Sequence, residues 1–165
     1  MIDCEKNVAD CPIFRTMSPE ERDAILRLAD HVTYATGRSV ICEGNNHPHG
    51  LFAIRSGSCE VVHSSREFGE QQVAFLRPGA IFGEIAFFDP APHSATIRVV
   101  EQAEFLFFSV ENFQKLELLQ PLAAHKFVLN MGRILAQKMR RADHMLANHF
   151  PTSQLVSDLS ANVAE

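Results

Sequence analysis

The stretch Ile81-Phe82-Gly83-Glu84-Ile85-Ala86-Phe87-Phe88-Asp89-Pro90-Ala91-Pro92-His93-Ser94-Ala95-Thr96 is the most specific part of this sequence. Gly83 lets the backbone approach a neighbour or a ligand closely. Glu84 opens a short helical run, and the first N–H groups of a helix have no intrahelical partner. Such an end is a ready place for an anion, a phosphate included. An ionised Glu84 carboxylate only accepts hydrogen bonds, so it suits a sugar hydroxyl and repels a phosphate set beside it. Ser94 offers a hydroxyl donor, and the N–H of Ala95 a second one. The set suits a ligand with an anionic phosphate at one end and a sugar hydroxyl a few ångströms away. The plain alternative stays open: Glu84 caps a helix, Ser94 begins a strand, and nothing binds.

Outward from this stretch, the chain from Val32 to Ser109 reads as short β-prone runs separated by turn residues. Runs at 40–42, 51–54, 60–63, 72–76, 95–100 and 104–108 are punctuated by glycines at 37, 44, 50, 57, 69, 79 and 83. Strands this short and this regularly interrupted predict an antiparallel barrel or sandwich. The glycines are expected where φ is positive or where backbones pass closely.

Helices flank this region. Residues 18–31 predict one, with Ser18 and Glu21 as a capping box, Pro19 at the first position, and Ile25, Leu28, Ala29 and Val32 on one face. Residues 111–119 predict a short helix. A long one follows from Pro121 to about residue 150. Its stripe of Ala124, Val128, Met131, Leu135, Met139, Ala142 and Leu146 is expected to pack on the barrel or against a second copy of the chain. Lys138, Arg140 and Arg141 read as a solvated face that complements the helix dipole. The resulting organisation is an N-terminal segment 1–17, a domain over 13–147 (barrel about 32–109, final helices about 110–148) and a polar tail 151–165.

A chain of 165 residues fits one domain with a sizeable core. Its net charge of -5 argues against a protein built mainly to hold nucleic acid phosphates. The four cysteines, Cys4, Cys11, Cys42 and Cys59, form no C-x-x-C pair and read as reduced thiols. Cys4 and Cys11 stand too far apart to suggest a clustered iron–sulfur ligand set. Acidic residues occupy the place of a signal peptide's basic start, and no run reaches the roughly 18 apolar residues of a membrane span. The expected location is the cytoplasm, with no membrane contact.

The residues 81–96 resemble the phosphate-binding cassette of the cyclic nucleotide-binding domain family, which includes catabolite activator protein-like sensor domains. Ser18-Pro19-Glu20-Glu21-Arg22, Gly44, the run 50–58 and Arg77-Pro78-Gly79 resemble its first helix, early strands and turns, in the same order. The resemblance implies a mainly β fold with flanking helices: a β-barrel of the double-stranded β-helix or jelly-roll type, an N-terminal helix and a long C-terminal helix. It implies a regulatory sensor of cyclic AMP or cyclic GMP, with no enzymatic activity and no further cofactor. The candidate ligand-binding residues are Phe82, Gly83, Glu84, Ile85, Ala86, His93, Ser94 and Ala95. The final helix is expected to carry the signal to a protein partner or to a dimer mate. Only fifteen residues follow Phe150, far short of the roughly 60–80 that a helix-turn-helix domain needs, so direct DNA binding is not expected.

One departure matters. The family's cassette normally carries an Arg where this chain has His93. A guanidinium is permanently charged and forks onto phosphate; imidazole is mostly neutral at pH 7.5. This leaves weak binding, pH-dependent binding, or a degenerate interaction domain that has lost its ligand. If the pocket is otherwise intact, His93→Arg is expected to tighten binding. Two rivals come from other classes. A cupin-like metal site would draw on His47, His49, His63 and His93, but the Glu expected after the His47-Pro48-His49 pair is missing. A haem or redox sensor would need an axial ligand such as His93 or a cysteine. No Walker loop, hydrolase signature or Ser/His/Asp set is present, and no metal site is expected.

Overall fold

The computed structural model describes residues 11–149, apart from residue 47 and the side chains of 148 and 149. The expectations on Cys4, His47 and the tail 151–165 lie outside the described residues. After a single 3-10 turn, Pro12–Phe14, come α1 (Pro19–Leu28), β1 (Asp30–Tyr34), β2 (Ser39–Ile41), β3 (Gly50–Ser65), β4 (Gly69–Leu76), β5 (Ile81–Phe82), α2 (Glu84–Phe88), β6 (Thr96–Ser109), α3 (Val110–Leu119) and α4 (Pro121–His149).

Every strand pairing is antiparallel. The path runs β1-β6-β3-β4, with β2 also on β6 and β5 also on β3. The two long strands are shared between two halves. In one half, Asp30–Tyr34 pairs with 103–107 of β6, which pairs with 50–54 of β3, which pairs with β5. In the other, β2 and 58–62 of β3 flank 96–101 of β6, and β4 lies on the far side of β3. Register shifts between Ile54 and Cys59 mark where β3 passes from one half to the other. The result is the jelly-roll type of fold expected, although the ladder does not close on itself.

Two faces of the first half are buried, each for its own reason. Phe52, Ile54, Phe82 and Phe105 turn inward to meet Val40, Ile41, Cys59, Ile97 and Val99. Phe52 stacks on Phe82 at 5.0 Å between centroids and meets Phe105 edge-on at 6.2 Å. Leu51, Ala53, Leu106 and Phe108 turn outward, toward Ile13, Phe14, Ile25 and Phe127. This is the period-2 alternation of a strand, with both faces covered.

The N-terminal segment is fastened to the first turns of α4. Asn130 donates to the Ile13 carbonyl at 2.8 Å and accepts from the Thr16 hydroxyl at 3.1 Å. Lys126 reaches both Glu21 carboxylate oxygens at 2.8 Å. Glu21 also closes the expected capping box with Ser18.

Four expectations need correction. The first helix ends at Leu28, not at 31, because Asp30–Tyr34 pairs along β6. The runs 51–54 and 60–63 lie in one strand, as do 96–100 and 104–108, with Ala95 just before it. Gly57 marks no corner but lies inside β3, with the positive φ and the close backbone approach expected of it: a Cβ there would collide with the Gln102 carbonyl of β6. The buried face of α4 is also rotated from the expected stripe. Ala124 and Met131 are buried as expected, but so are Ala123, Phe127 and Asn130, while Val128 is exposed. The described residues form two compact units, up to Met131 and from Gly132 onward. Among the described residues no helix is long and apolar enough to cross a membrane.

Candidate functional site

The cassette begins where β5 ends. Phe82 pairs with Phe52 of β3 and is buried in the aromatic core. Gly83 then takes φ 84° and ψ 0°, in the left-handed region, and serves as the N-cap of α2. A side chain is excluded there twice over: by the dihedral, and because a Cβ would collide with the carbonyl of Gly50. The five-residue α2 is closed by Phe87 N–H on the Gly83 carbonyl at 3.1 Å.

Burial divides this helix. Glu84, Ala86 and Phe87 are buried, and Ile85 is exposed. A carboxylate as hidden as Glu84, 5% exposed, is unusual and needs hydrogen-bonding company. Phe87 runs into a second aromatic cluster. It lies 5.4 Å from Phe113 of α3 and 5.8 Å from Phe127 of α4. Phe127 in turn meets Phe108 at 5.0 Å and Phe113 at 5.6 Å. The site's helix is therefore packed directly against the two helices that follow the sheet.

The far end of the cassette is held differently. His93 is buried, Ser94 exposed and Ala95 half-buried, just before β6 starts at Thr96. The His93 N–H donates to the Asn45 carbonyl at 2.9 Å, and its carbonyl accepts from Gly44 N–H at 2.8 Å. Its ring Nε2 donates to the Pro48 carbonyl at 3.1 Å. The His49 ring meets it edge-on, 6.2 Å away. The Thr96 hydroxyl accepts from Glu43 N–H at 3.0 Å. Glu43's own carboxylate accepts from Ser64 N–H and contacts His63 Nδ1, both at 2.8 Å.

The turn carrying Glu43, Gly44, Asn45 and Pro48 is thus part of the site's frame, and sequence reasoning missed it. Only Gly44 hinted at a turn; nothing local ties it to residues some fifty positions later. The nearest cation downstream is also committed elsewhere. Arg98 forks onto Glu70 at 2.9 Å and reaches Glu60 at 3.3 Å, and these carboxylates, Glu70 foremost, raise its pKa. The histidines proposed for a metal are dispersed: His63 is on Glu43, while His93 and His49 lie on the cassette side. Among the described residues no group of three or more His, Cys, Asp or Glu could hold a metal ion.

Comparison with known proteins agrees with this geometry. Residues 31–117 match the family described as cyclic nucleotide-binding domain. The chain is 30% identical over 132 residues to the cyclic AMP receptor protein of Thermus thermophilus, covering 80% of this chain and 59% of the relative. It is 34% identical over 93 residues to a cAMP-dependent protein kinase regulatory subunit of Mycosarcoma maydis, covering 56% of this chain and 17% of that one. Among solved structures, the catabolite activator protein of Thermus thermophilus superposes with a TM-score of 0.72 at 30% identity, over 82% of this chain and 61% of that one. A cyclic nucleotide-binding domain from Methylobacillus flagellatus reaches 0.80 at 19% identity, over 88% and 83%, and so speaks for the fold.

Proposed function

The chain belongs to the cyclic nucleotide-binding domain family, and we propose that it is a regulatory sensor whose cassette binds cyclic AMP or cyclic GMP. The observation that carries this reading is the left-handed Gly83 leading into a short helix whose first residue is a buried carboxylate. In this reading Phe82, Gly83, Glu84, Ile85, Ala86, His93, Ser94 and Ala95 line the ligand. Glu84 accepts from a ribose hydroxyl. The amides that open α2, the Ser94 hydroxyl and the Ala95 N–H donate to the cyclic phosphate. With no guanidinium in the cassette, a charge-assisted bond worth about 1.5–3 kcal/mol is missing, and the affinity is about 10- to 100-fold below that of a site with Arg.

Binding biases the position of α2, and the contacts of Phe87 with Phe113 and Phe127 offer that shift to α3 and α4. The family is a regulatory binding domain and not an enzyme family. The receiver in this reading is a second copy of the chain or a separate protein, met in the cytoplasm. The outward face of α4 suits a second copy. Met139 and Leu146, seven residues apart and both exposed, repeat at a heptad interval there.

Calorimetric titration of the full chain with cyclic AMP and cyclic GMP tests the proposal. Saturable binding is expected, with a loss of at least tenfold in Glu84→Ala. No heat and no thermal stabilisation by either nucleotide at millimolar concentration would refute it in favour of a degenerate interaction domain.

A further inference from the structure

The two ends of the cassette are organised by different means, and His93 governs the second. Pro90 and Pro92 have no N–H, so the stretch between α2 and β6 cannot pair at those positions. His93 supplies the first N–H after Pro92. Its backbone makes two bonds with the turn, N–H to the Asn45 carbonyl and carbonyl from the Gly44 N–H, and its buried ring adds a third at the Pro48 carbonyl. The turn on the other side is itself anchored. Gly44 adopts φ 79°, Asn45 N–H returns to the Cys42 carbonyl at 3.1 Å, and Glu43 is tied to Thr96, Ser64 and His63.

We propose that His93 is a positioning residue and not a phosphate ligand: it staples residues 93–95 to the turn at Gly44, Asn45 and Pro48, and so aims Ser94 and Ala95. This rests on the sensor reading above and refines one of its residues. The chemistry is specific. A carbonyl accepts, so Nε2 must carry hydrogen, and it does so in both the Nε2–H neutral tautomer and the imidazolium. The staple therefore survives protonation of the ring. The His49 ring meets it edge-on at 6.2 Å, and the Glu43–His63 pair belongs to the turn that the staple holds. An alanine at 93 loses the ring bond and leaves the Pro48 carbonyl behind. A glutamine can place its amide N–H close to where Nε2 stands.

The test compares wild type, His93→Ala and His93→Gln in the full chain. Cyclic AMP and cyclic GMP are titrated at pH 6.0 and 7.5, and amide hydrogen exchange at Gly44 and His93 is followed without ligand. Expected are wild-type affinities within about twofold at the two pH values, a loss of about tenfold in His93→Ala, and recovery to within about threefold in His93→Gln. The Gly44 amide is expected to exchange faster in His93→Ala and near the wild-type rate in His93→Gln. Two results would overturn the proposal. One is wild-type affinity several-fold higher at pH 6.0 with that gain lost in His93→Gln, which makes the ring a proton-carried phosphate donor. The other is unchanged binding and exchange in His93→Ala. Should wild type bind neither nucleotide, the sensor reading fails by itself. The exchange data then decide the staple: acceleration with glutamine rescue upholds it, and an unchanged Gly44 amide refutes it.

Discussion

Replacing Gly83 by alanine separates two costs that the structure superimposes at one atom. The first is conformational. Gly83 has φ 84°, where an L-residue loses about 1–2 kcal/mol. The second is steric. The new Cβ would run into the Gly50 carbonyl and stand 3.5 Å from Phe52 Cδ2. Gly50 has little room to retreat, because its own Cα already lies against β6: a Cβ there would be 2.8 Å from Phe107 Cζ and 2.9 Å from the Phe108 carbonyl. Relieving such overpacking costs about 1–3 kcal/mol. Alanine also restricts the unfolded chain, which offsets about 0.4–1 kcal/mol. The net destabilisation is about 3 kcal/mol. Gly37 provides the control, since it has φ 81° with nothing within 4 Å of a built Cβ. Gly37→Ala therefore carries the conformational cost alone, about 1 kcal/mol net. Urea unfolding of both variants reads the difference, and the thermal midpoint of Gly83→Ala should fall by about 6–12 °C. The reasoning is refuted if Gly83→Ala is no more destabilising than Gly37→Ala.

Other expectations follow from single contacts. Lys126, and then the Ser18 N–H, hold the Glu21 carboxyl below its ordinary 4.5. A depressed folded value means stability that is present above the unfolded pKa and disappears as pH falls through the folded one. Glu21→Gln should therefore be less stable than wild type at pH 7, with the gap closing below about pH 4.5 in denaturation curves taken across that range. Burial pushes the thiols of Cys11 and Cys59 up to about 11, while Cys42 is exposed. Brief iodoacetamide treatment of the native protein at pH 8 should thus alkylate Cys42 well ahead of the other two, as read by peptide mass spectrometry; equal labelling would contradict the packing. If the outward face of α4 is a seam between copies, Met139→Glu should turn a dimer into a monomer in sedimentation, whereas Leu118→Glu, on α3, should not.

What could be read in advance was mostly what is decided locally. The Ser18–Glu21 capping box involves residues three apart, and it formed as expected. Positive φ at Gly37, Gly44, Gly57, Gly69, Gly79 and Gly83 follows from the freedom of glycine itself. Strand continuity is not local. Gly57 looks like a chain reversal until β6 lies across it, and only then is it the point where one strand bends between two halves of a sheet. The backbone bonds joining His93 to Gly44 and Asn45 were invisible for the same reason, since the partners meet only after the jelly roll has formed.

The misjudged face of α4 has a more particular cause, and it bears on function. Residues 105–108, Phe-Leu-Phe-Phe, form a continuous apolar run, as a strand covered on both faces does, but the run does not say which residues of α4 supply the outer cover. Phe105 goes to the inner core, and Phe108 goes outward to Phe127. Phe127 is fully buried, and drawing so large a ring inward rotates the start of α4 away from the stripe that smaller residues would have set. The ring that caused the rotation is also the one that meets Phe87 of the cassette helix. Packing that served stability alone would be satisfied by the sheet contact with Phe108. On the sensor reading proposed above, the further contact with the short helix under the candidate ligand couples it to α4, so Phe127→Leu should uncouple ligand binding from any change in α4 more than it weakens binding. Titration calorimetry beside hydrogen exchange along α4 would show whether the two effects part; equal losses in both would leave Phe127 a core residue and nothing more.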